Sequence, residues 1–299
     1  MACPTQQDPH PLAAELDVFQ PLQYAMPKRQ RAWWVCIDSQ RAAYLKSIDN
    51  GTRKRIPSCA GPEGGAYLQG VRQDLGSSFT DNEFVIATRY RLGMRVMQAG
   101  ICHHITSGKS GAKRMCAAPA DADGLHAVLC KIGGAPYAAH GQGCNCLLRA
   151  TQCADYQPYR EQVVPELASG ACKAPQLDVV AWSLHGHARL LFDFSIRHPA
   201  SSHYSSGQDA TVVAGREKGL HYTRRQGLRV HTAAMETYGK HGAELADLLV
   251  SLADHARQRD RSFGQPPQRW LKKWRVHLSA IVAKMVGRAV QQACPPGTS

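Results

Sequence analysis

Apolar and polar residues alternate most regularly along 189–196. In ARLLFDFSI, a period of two puts Leu190, Phe192, Phe194 and Ile196 on one face and Leu191, Asp193 and Ser195 on the other. An aspartate within so apolar a strand is costly to bury unpaired. Asp178, in the preceding run LDVVAW, poses the same problem. The pattern predicts strands over 162–167, 177–182 and 189–196. It continues with a helix over 209–222, a strand over 228–234 and a helix over 243–256 with Leu245, Leu248, Leu249 and Leu252 on one face. A helix over 138–154 precedes them, so the order is α-β-β-β-α-β-α. Two carboxylates on neighbouring strands, with a lysine on the next helix, can jointly hold a divalent metal. Equally, both can sit at strand ends in water or pair with the many arginines.

Upstream, 66–73 reads as a short helix. Asp81-Asn82 caps a longer one over 83–95, whose apolar positions Phe84, Ile86, Ala87, Leu92 and Met94 face several arginines. Downstream, prolines break the pattern within 257–268, and a last amphipathic helix carries Trp270, Trp274, Leu278, Ile281, Met285 and Val290.

Periodicity stops between 101 and 134, and a stretch that long needs another source of order. Cys102, Cys116, His126 and Cys130 are four candidate ligands there, the last two spaced as on a helical turn. Thiolates and imidazole suit a tetrahedral structural zinc. His103 or His104 can replace or supplement one of them, and unconnected free cysteines are the competing reading. Cys144, Cys146 and Cys153 read instead as small buried residues of the helix over 138–154.

Composition narrows the class. The chain has 299 residues, a net charge of +13 and 43% hydrophobic residues, which fits a globular protein with an anionic partner. No apolar run is long enough for a membrane span. The opening MACPTQQDPHP has neither a charged n-region nor an apolar h-region, and eleven cysteines is an odd count. Together these predict an intracellular protein with reduced thiols. Residues 1–30 read as a flexible lead-in. The basic run 28–55 includes Trp33 and Trp34, read either as a stacking nucleic-acid contact or as a helix with tryptophans packed inward. A second basic stretch, 257–288, holds nine Lys or Arg against Asp260 alone, offering phosphate contacts or a solvated face.

RLGMRV, the spaced cysteines, DADGLHAVLCKIGG, LDVVAW, LLFDFSI, EKGLHY and AMETYGKHG follow one another in an order that resembles the C-terminal region of non-LTR retrotransposon reverse transcriptases. The likeness spans 58–293. It implies an α+β fold, a Cys/His zinc knuckle (101–134) followed by a PD-(D/E)-x-K restriction-endonuclease-like core over 135–256; the residue pattern itself places a flexible basic N-terminal segment (1–57) and a small helical subdomain (58–100) ahead of them. A basic helical extension (257–299) follows. It implies structural zinc on Cys102, Cys116, His126 and Cys130 and catalytic magnesium on Asp178 and Asp193, with Glu166, Lys218 and Tyr222 completing the catalytic set. Glu236 falls on a recurring acidic position of unspecified role. The implied activity is metal-dependent nicking of target DNA in the nucleus, with element RNA as a further partner and no membrane. The alternative is a catalytically decayed nucleic-acid-binding module that keeps the knuckle and basic surface. The sequence departs from the family in three ways. Ser195 stands where the strand lysine is usual, His221 replaces a second basic residue, and 131–141 lack the usual Arg-His-Asn. No segment resembles a polymerase palm.

Overall fold

The computed structural model describes residues 39–40, 50–61, 63–69, 78–107, 111–168, 174–184, 189–204, 208–222, 228–258 and 267–294. The chain divides into two units, Met1–Ile56 and Pro57–Ser299. Most of the basic run 28–55, Trp33 and Trp34 included, lies outside the described residues. The second unit comprises the end of α1 (Asn50–Cys59), a 3-10 turn (Ala66–Gln69), α2 (Asp81–Leu92), four short strands β1 (Gly100–Ile101), β2 (Ile105–Ser107), β3 (Lys113–Met115) and β4 (Pro119–Ala120), then α3 (Leu125–Leu129) and α4 (Ala135–Cys153). There follow β5 (Tyr156–Val163), a 3-10 turn (Pro165–Leu167), β6 (Gln176–Ser183), β7 (Arg189–Arg197), α5 (Ala210–His221), β8 (Val230–Glu236), α6 (Ala243–Gln258) and α7 (Pro267–Ala293). The fold is mixed α+β.

The main sheet has the order β5-β6-β7-β8. The first three strands run antiparallel, and β8 lies parallel to β7, with α5 in the connection between them. The alternation along β7 sets the two faces of this sheet. Phe192 and Phe194, with Val179, Ala181, Ala233 and Met235, face the main core, which they share with residues of α4, α6 and α7. On the other face Leu191 and Val180 join Val164, Leu167 and Leu177 in a smaller cluster, with Tyr222 packed against it. Asp178 and Asp193 belong to this second face.

Local chemistry sets several boundaries. Thr80, rather than Asp81, caps α2. Its side chain accepts from Glu83 N while the Glu83 carboxylate accepts from Thr80 N, a reciprocal capping box that starts the helix early. Gly93, in the left-handed region at φ 72°, ends it. The strand expected over 162–167 is β5, which ends at Val163 because Pro165 opens a 3-10 turn that carries Glu166.

The last helix is central rather than peripheral. Trp274, Leu278, Val282, Met285, Val286 and Ala289 are all buried in the main core. Three of its basic residues serve internal contacts: Arg275 pairs with Glu63, Lys284 donates to Ser78 O at 2.7 Å, and Arg288 Nε donates to Glu83 Oε1 at 2.7 Å. The helix within this basic stretch is thus largely a core helix, with Arg269 and Lys272 left exposed near its start. α2 crosses it closely at Gly287, where an added Cβ would come within 2.8 Å of the Glu83 backbone. Gly287→Ala should therefore destabilise the protein by about 1–3 kcal/mol, measured as a lower urea midpoint.

His241, just after β8, is buried, and neither ring nitrogen has a hydrogen-bond partner among the described residues. Burial and the nearby Arg275 charge hold its pKa down to about 3. The unfolded chain takes up this proton below pH ~6.5 and the folded protein refuses it until about pH 3. Stability is therefore expected to fall across that window, by an amount on the order of 4 kcal/mol at its acid end. Urea midpoints measured from pH 7 to pH 4 should fall less steeply in His241→Gln than in the parent.

Candidate metal centre and carboxylate site

Cys102, Cys116, His126 and Cys130 come together, with their ligand atoms all within 4.8 Å of one another. A hairpin supplies the first two. Cys102 N donates to Ala118 O, Ala117 N to Cys102 O, and Cys116 N to His104 O. The short α3 supplies His126, with Cys130 at its C-cap. Asp121 anchors that helix, accepting from Leu125 N and His126 N at 2.8 Å each. Cys102 Sγ and Cys130 Sγ lie 3.9 Å apart, and Cys116 Sγ and His126 Nε2 lie 3.4 Å apart. Zinc bond lengths of about 2.3 Å to sulfur and 2.0 Å to nitrogen require tetrahedral edges of about 3.8 and 3.5 Å. The two measured separations lie within ~0.1 Å of that requirement, so this cluster can hold a metal ion such as zinc.

The electrostatics agree. Burial, with the neighbouring Cys130 and Cys116, pushes the Cys102 thiol up to about 12. Such a thiol ionises at neutral pH only if a cation replaces its proton. Cys116, accepting from the Ala118 amide and only partly buried, is held below the usual thiol range. His104 stands outside this group of four, with its Nε2 bonded to Ala289 O at 2.8 Å and its ring buried. Knuckle and last helix share a small core of Ile86, Cys102, Ala120, Ala127, Cys130, Val290 and Ala293.

The second site lies at one end of the main sheet. The β6–β7 pairing runs from Trp182↔Arg189 to Val179↔Phe192, and one further step along that register sets Asp178 opposite Asp193. There the Asp178 side chain takes over from the ladder. Its Oδ2 accepts from Phe194 N at 2.7 Å. Asp193 is buried at 6% exposure. Lys218, in the last turn of α5, reaches it with Nζ 2.7 Å from Oδ2, and the Tyr222 hydroxyl donates to the same oxygen. The i to i+4 spacing of Lys218 and Tyr222 brings both to one carboxylate.

His140, on α4, completes the cluster. Its Nε2 lies 3.2 Å from Asp178 Oδ2 and 3.2 Å from Phe194 O. His140, Cys144 and Asp178 form a second group with ligand atoms within 4.8 Å of one another. Gly143 lets α4 come this close, since a Cβ there would sit 2.2 Å from the Phe194 ring. Hydrogen bonds to Asp178 and Cys144 raise the His140 pKa to about 10 against the effect of burial. Burial opposes ionisation of Asp178, but the bond and charge of His140 outweigh it and hold that carboxyl below its usual range. Burial prevails at Asp193, raising its pKa although Lys218 and Tyr222 pull the other way. Tyr222 is raised by burial and by its bond to Asp193. The two aspartates thus differ in their readiness to ionise.

No protein-family model and no curated protein matches this chain. Asp178, Asp193, Lys218 and Tyr222 meet, as the sequence suggests. Glu166 does not join them: its carboxylate accepts from Arg189 Nη1 at 2.8 Å, and Arg189 lies four residues from Asp193 along β7. Glu236, buried at the end of β8, has a carboxyl raised by burial and belongs to neither cluster. Of the three cysteines read as buried, Cys144 and Cys146 are, while Cys153 is exposed. The residue missed from sequence is His140. Its trace is the His140/Cys144 pair at i and i+4, which marks one helical face but not the strand end it meets.

Proposed function

We propose that this protein is a metal-dependent DNA endonuclease of the restriction-endonuclease-like kind, derived from a non-LTR retrotransposon, which nicks its target by phosphodiester hydrolysis. One observation carries the reading. Asp178 and Asp193 converge at the end of two antiparallel strands, and a lysine from the following helix stands 2.7 Å from the second. The α-β-β-β-α-β order, with β8 parallel to β7, agrees with a PD-(D/E)-x-K core.

Asp178, Asp193 and the Phe194 carbonyl offer the hard oxygen donors that suit Mg²⁺. When bound, such a cation supplies charge neutralisation at a phosphate and a lowered pKa for an attacking water. The chain's own residues do the rest. Lys218 holds the buried Asp193 towards its ionised form and places a positive charge where phosphate charge develops. Tyr222 fixes the orientation of that carboxylate. The net charge of +13 suits a polyanionic substrate, and nuclear location goes with the proposed element. No described helix is long and apolar enough to cross a membrane.

A decayed, DNA-binding relic is favoured by one specific observation. Lys218 and Tyr222 both bond the same Asp193 oxygen while His140 occupies Asp178, so side chains already use much of the acceptor capacity. Supercoiled plasmid separates the two readings. Zinc-loaded protein should give nicked circles with Mg²⁺ or Mn²⁺ and none with EDTA. Salt-sensitive binding without nicking in either metal would select the relic.

A further inference from the structure

The acceptors at the strand end do not stand alone, because a nitrogen stands among them. His140 Nε2 is 3.2 Å from both Asp178 Oδ2 and Phe194 O, and its Nδ1 lies 3.8 Å from the buried Cys144 sulfur. Neighbouring ligands on an octahedral cation with bonds of about 2.1 Å sit roughly 3 Å apart. The nitrogen therefore already stands from each oxygen at the separation of adjacent positions around one ion. The three atoms come from three elements, α4, β6 and β7, and Gly143 brings the helix within reach of Phe194.

We infer that His140, beside Asp178 and the Phe194 carbonyl, is a nitrogen ligand of the cation proposed at the carboxylate pair, so that this site prefers a divalent transition-metal ion such as Mn²⁺ to Mg²⁺. This rests on the endonuclease reading, because it takes the carboxylate pair as the cation site. Imidazole suits the later transition metals best, and Mn²⁺, although an oxygen-preferring ion like Mg²⁺, accepts a nitrogen ligand more readily than Mg²⁺ does. Mg²⁺ also gives up its own waters reluctantly. A nitrogen inserted among oxygen donors therefore shifts selectivity towards the ion that accepts it. Cys144 stands beside the His140 ring, its sulfur 3.8 Å from Nδ1 and 4.0 Å from Nε2. That sulfur helps fix the ring, as partners of metal-bound histidines commonly do. The proton between Nε2 and the Asp178 carboxylate leaves to the buffer as the cation takes its place.

The test uses full-length protein carrying one equivalent of zinc, so that the knuckle is filled, with Mn²⁺ as the probe. Electron spin echo of bound Mn²⁺ should show nitrogen modulation of an imidazole ligand in the parent, a readout that needs no variant to fold. His140→Gln should remove the modulation and weaken Mn²⁺ binding about 10- to 100-fold, with Mg²⁺ binding changed less than about threefold because it gains little from nitrogen. Asp193→Asn should weaken both ions. If Mn²⁺ binding depends on Asp193 but carries no nitrogen modulation, His140 is not a ligand and the endonuclease reading stands. Tighter Mn²⁺ binding in His140→Gln would also overturn the inference, showing that the imidazole only fills the site in the ion's absence. If neither Asp178→Asn nor Asp193→Asn alters Mn²⁺ binding, the cation site itself is refuted, and this inference falls with it.

Discussion

Zinc bound at Cys102, Cys116, His126 and Cys130 is expected to raise the thermal midpoint of the whole Pro57–Ser299 unit by about 10 °C over the metal-free protein. The reason is physical continuity. The knuckle has only short strands and a helix of five residues, too little structure to order itself without a cross-link. Without a cation, three thiols and an imidazole crowd a space within 4.8 Å, and the Cys102 thiol keeps its proton. The knuckle then opens, and Ile86 and Val290 lose the surface they pack against. Re-exposing two such side chains costs about 3–5 kcal/mol, and a domain of this size loses about 2–4 °C per kcal/mol. Calorimetry before and after chelation measures it, and Cys130→Ser should reproduce the loss while binding less than half an equivalent of zinc. An unchanged midpoint in metal-free protein would show that the four residues are a cluster of free thiols.

Lys218→Met should reduce nicking by about 10²- to 10³-fold, the range for loss of one well-placed charge-stabilising donor. Lys218 is partly exposed and sits in the last turn of α5, so the helix does not depend on it. The chemistry at Asp193 does. That carboxyl already titrates above its usual range through burial, and Lys218 is the strongest influence pulling it down. Without Lys218 the pKa rises further, and a smaller share of Asp193 is ionised at neutral pH. Residual cleavage should therefore climb more steeply with pH in Lys218→Met than in the parent. A purely structural lysine would lower stability without changing the pH profile, so the slope between pH 6 and 9 distinguishes the roles.

How far the site could be read in advance depends on where its information lies. Asp178 and Asp193 are legible because period-two alternation shows a charged residue on a strand otherwise buried on both faces, here with Leu191, Phe192 and Phe194 at no more than 1% exposure. Lys218 and Tyr222 are legible because their helical spacing is local. His140 is not, since its contacts lie 38 and 54 residues away and depend on a glycine, Gly143, that has no pattern of its own. Glu166 misleads for a related reason. Acidity and position recommend it, but it stands in the 3-10 turn that Pro165 opens, and Arg189 takes the carboxylate. The last helix looks like a charged surface because its arginines and lysines stand out in sequence. Their partners Glu63, Ser78 and Glu83 are some 200 residues away, where periodicity gives no hint of them.

Asp193 is the residue on which the proposed chemistry turns, and the most direct measurement is single-turnover nicking of supercoiled plasmid by the zinc-loaded parent and Asp193→Asn side by side in Mg²⁺ and in Mn²⁺. The substitution keeps the shape and an acceptor for Lys218 and Tyr222 while removing the charge a cation needs. The parent should nick, and Asp193→Asn, with equal zinc content and DNA affinity, should be slower by about 10³-fold or more, beyond the loss from any single hydrogen-bond donor. Equal rates in the two proteins would contradict a catalytic cation at this carboxylate.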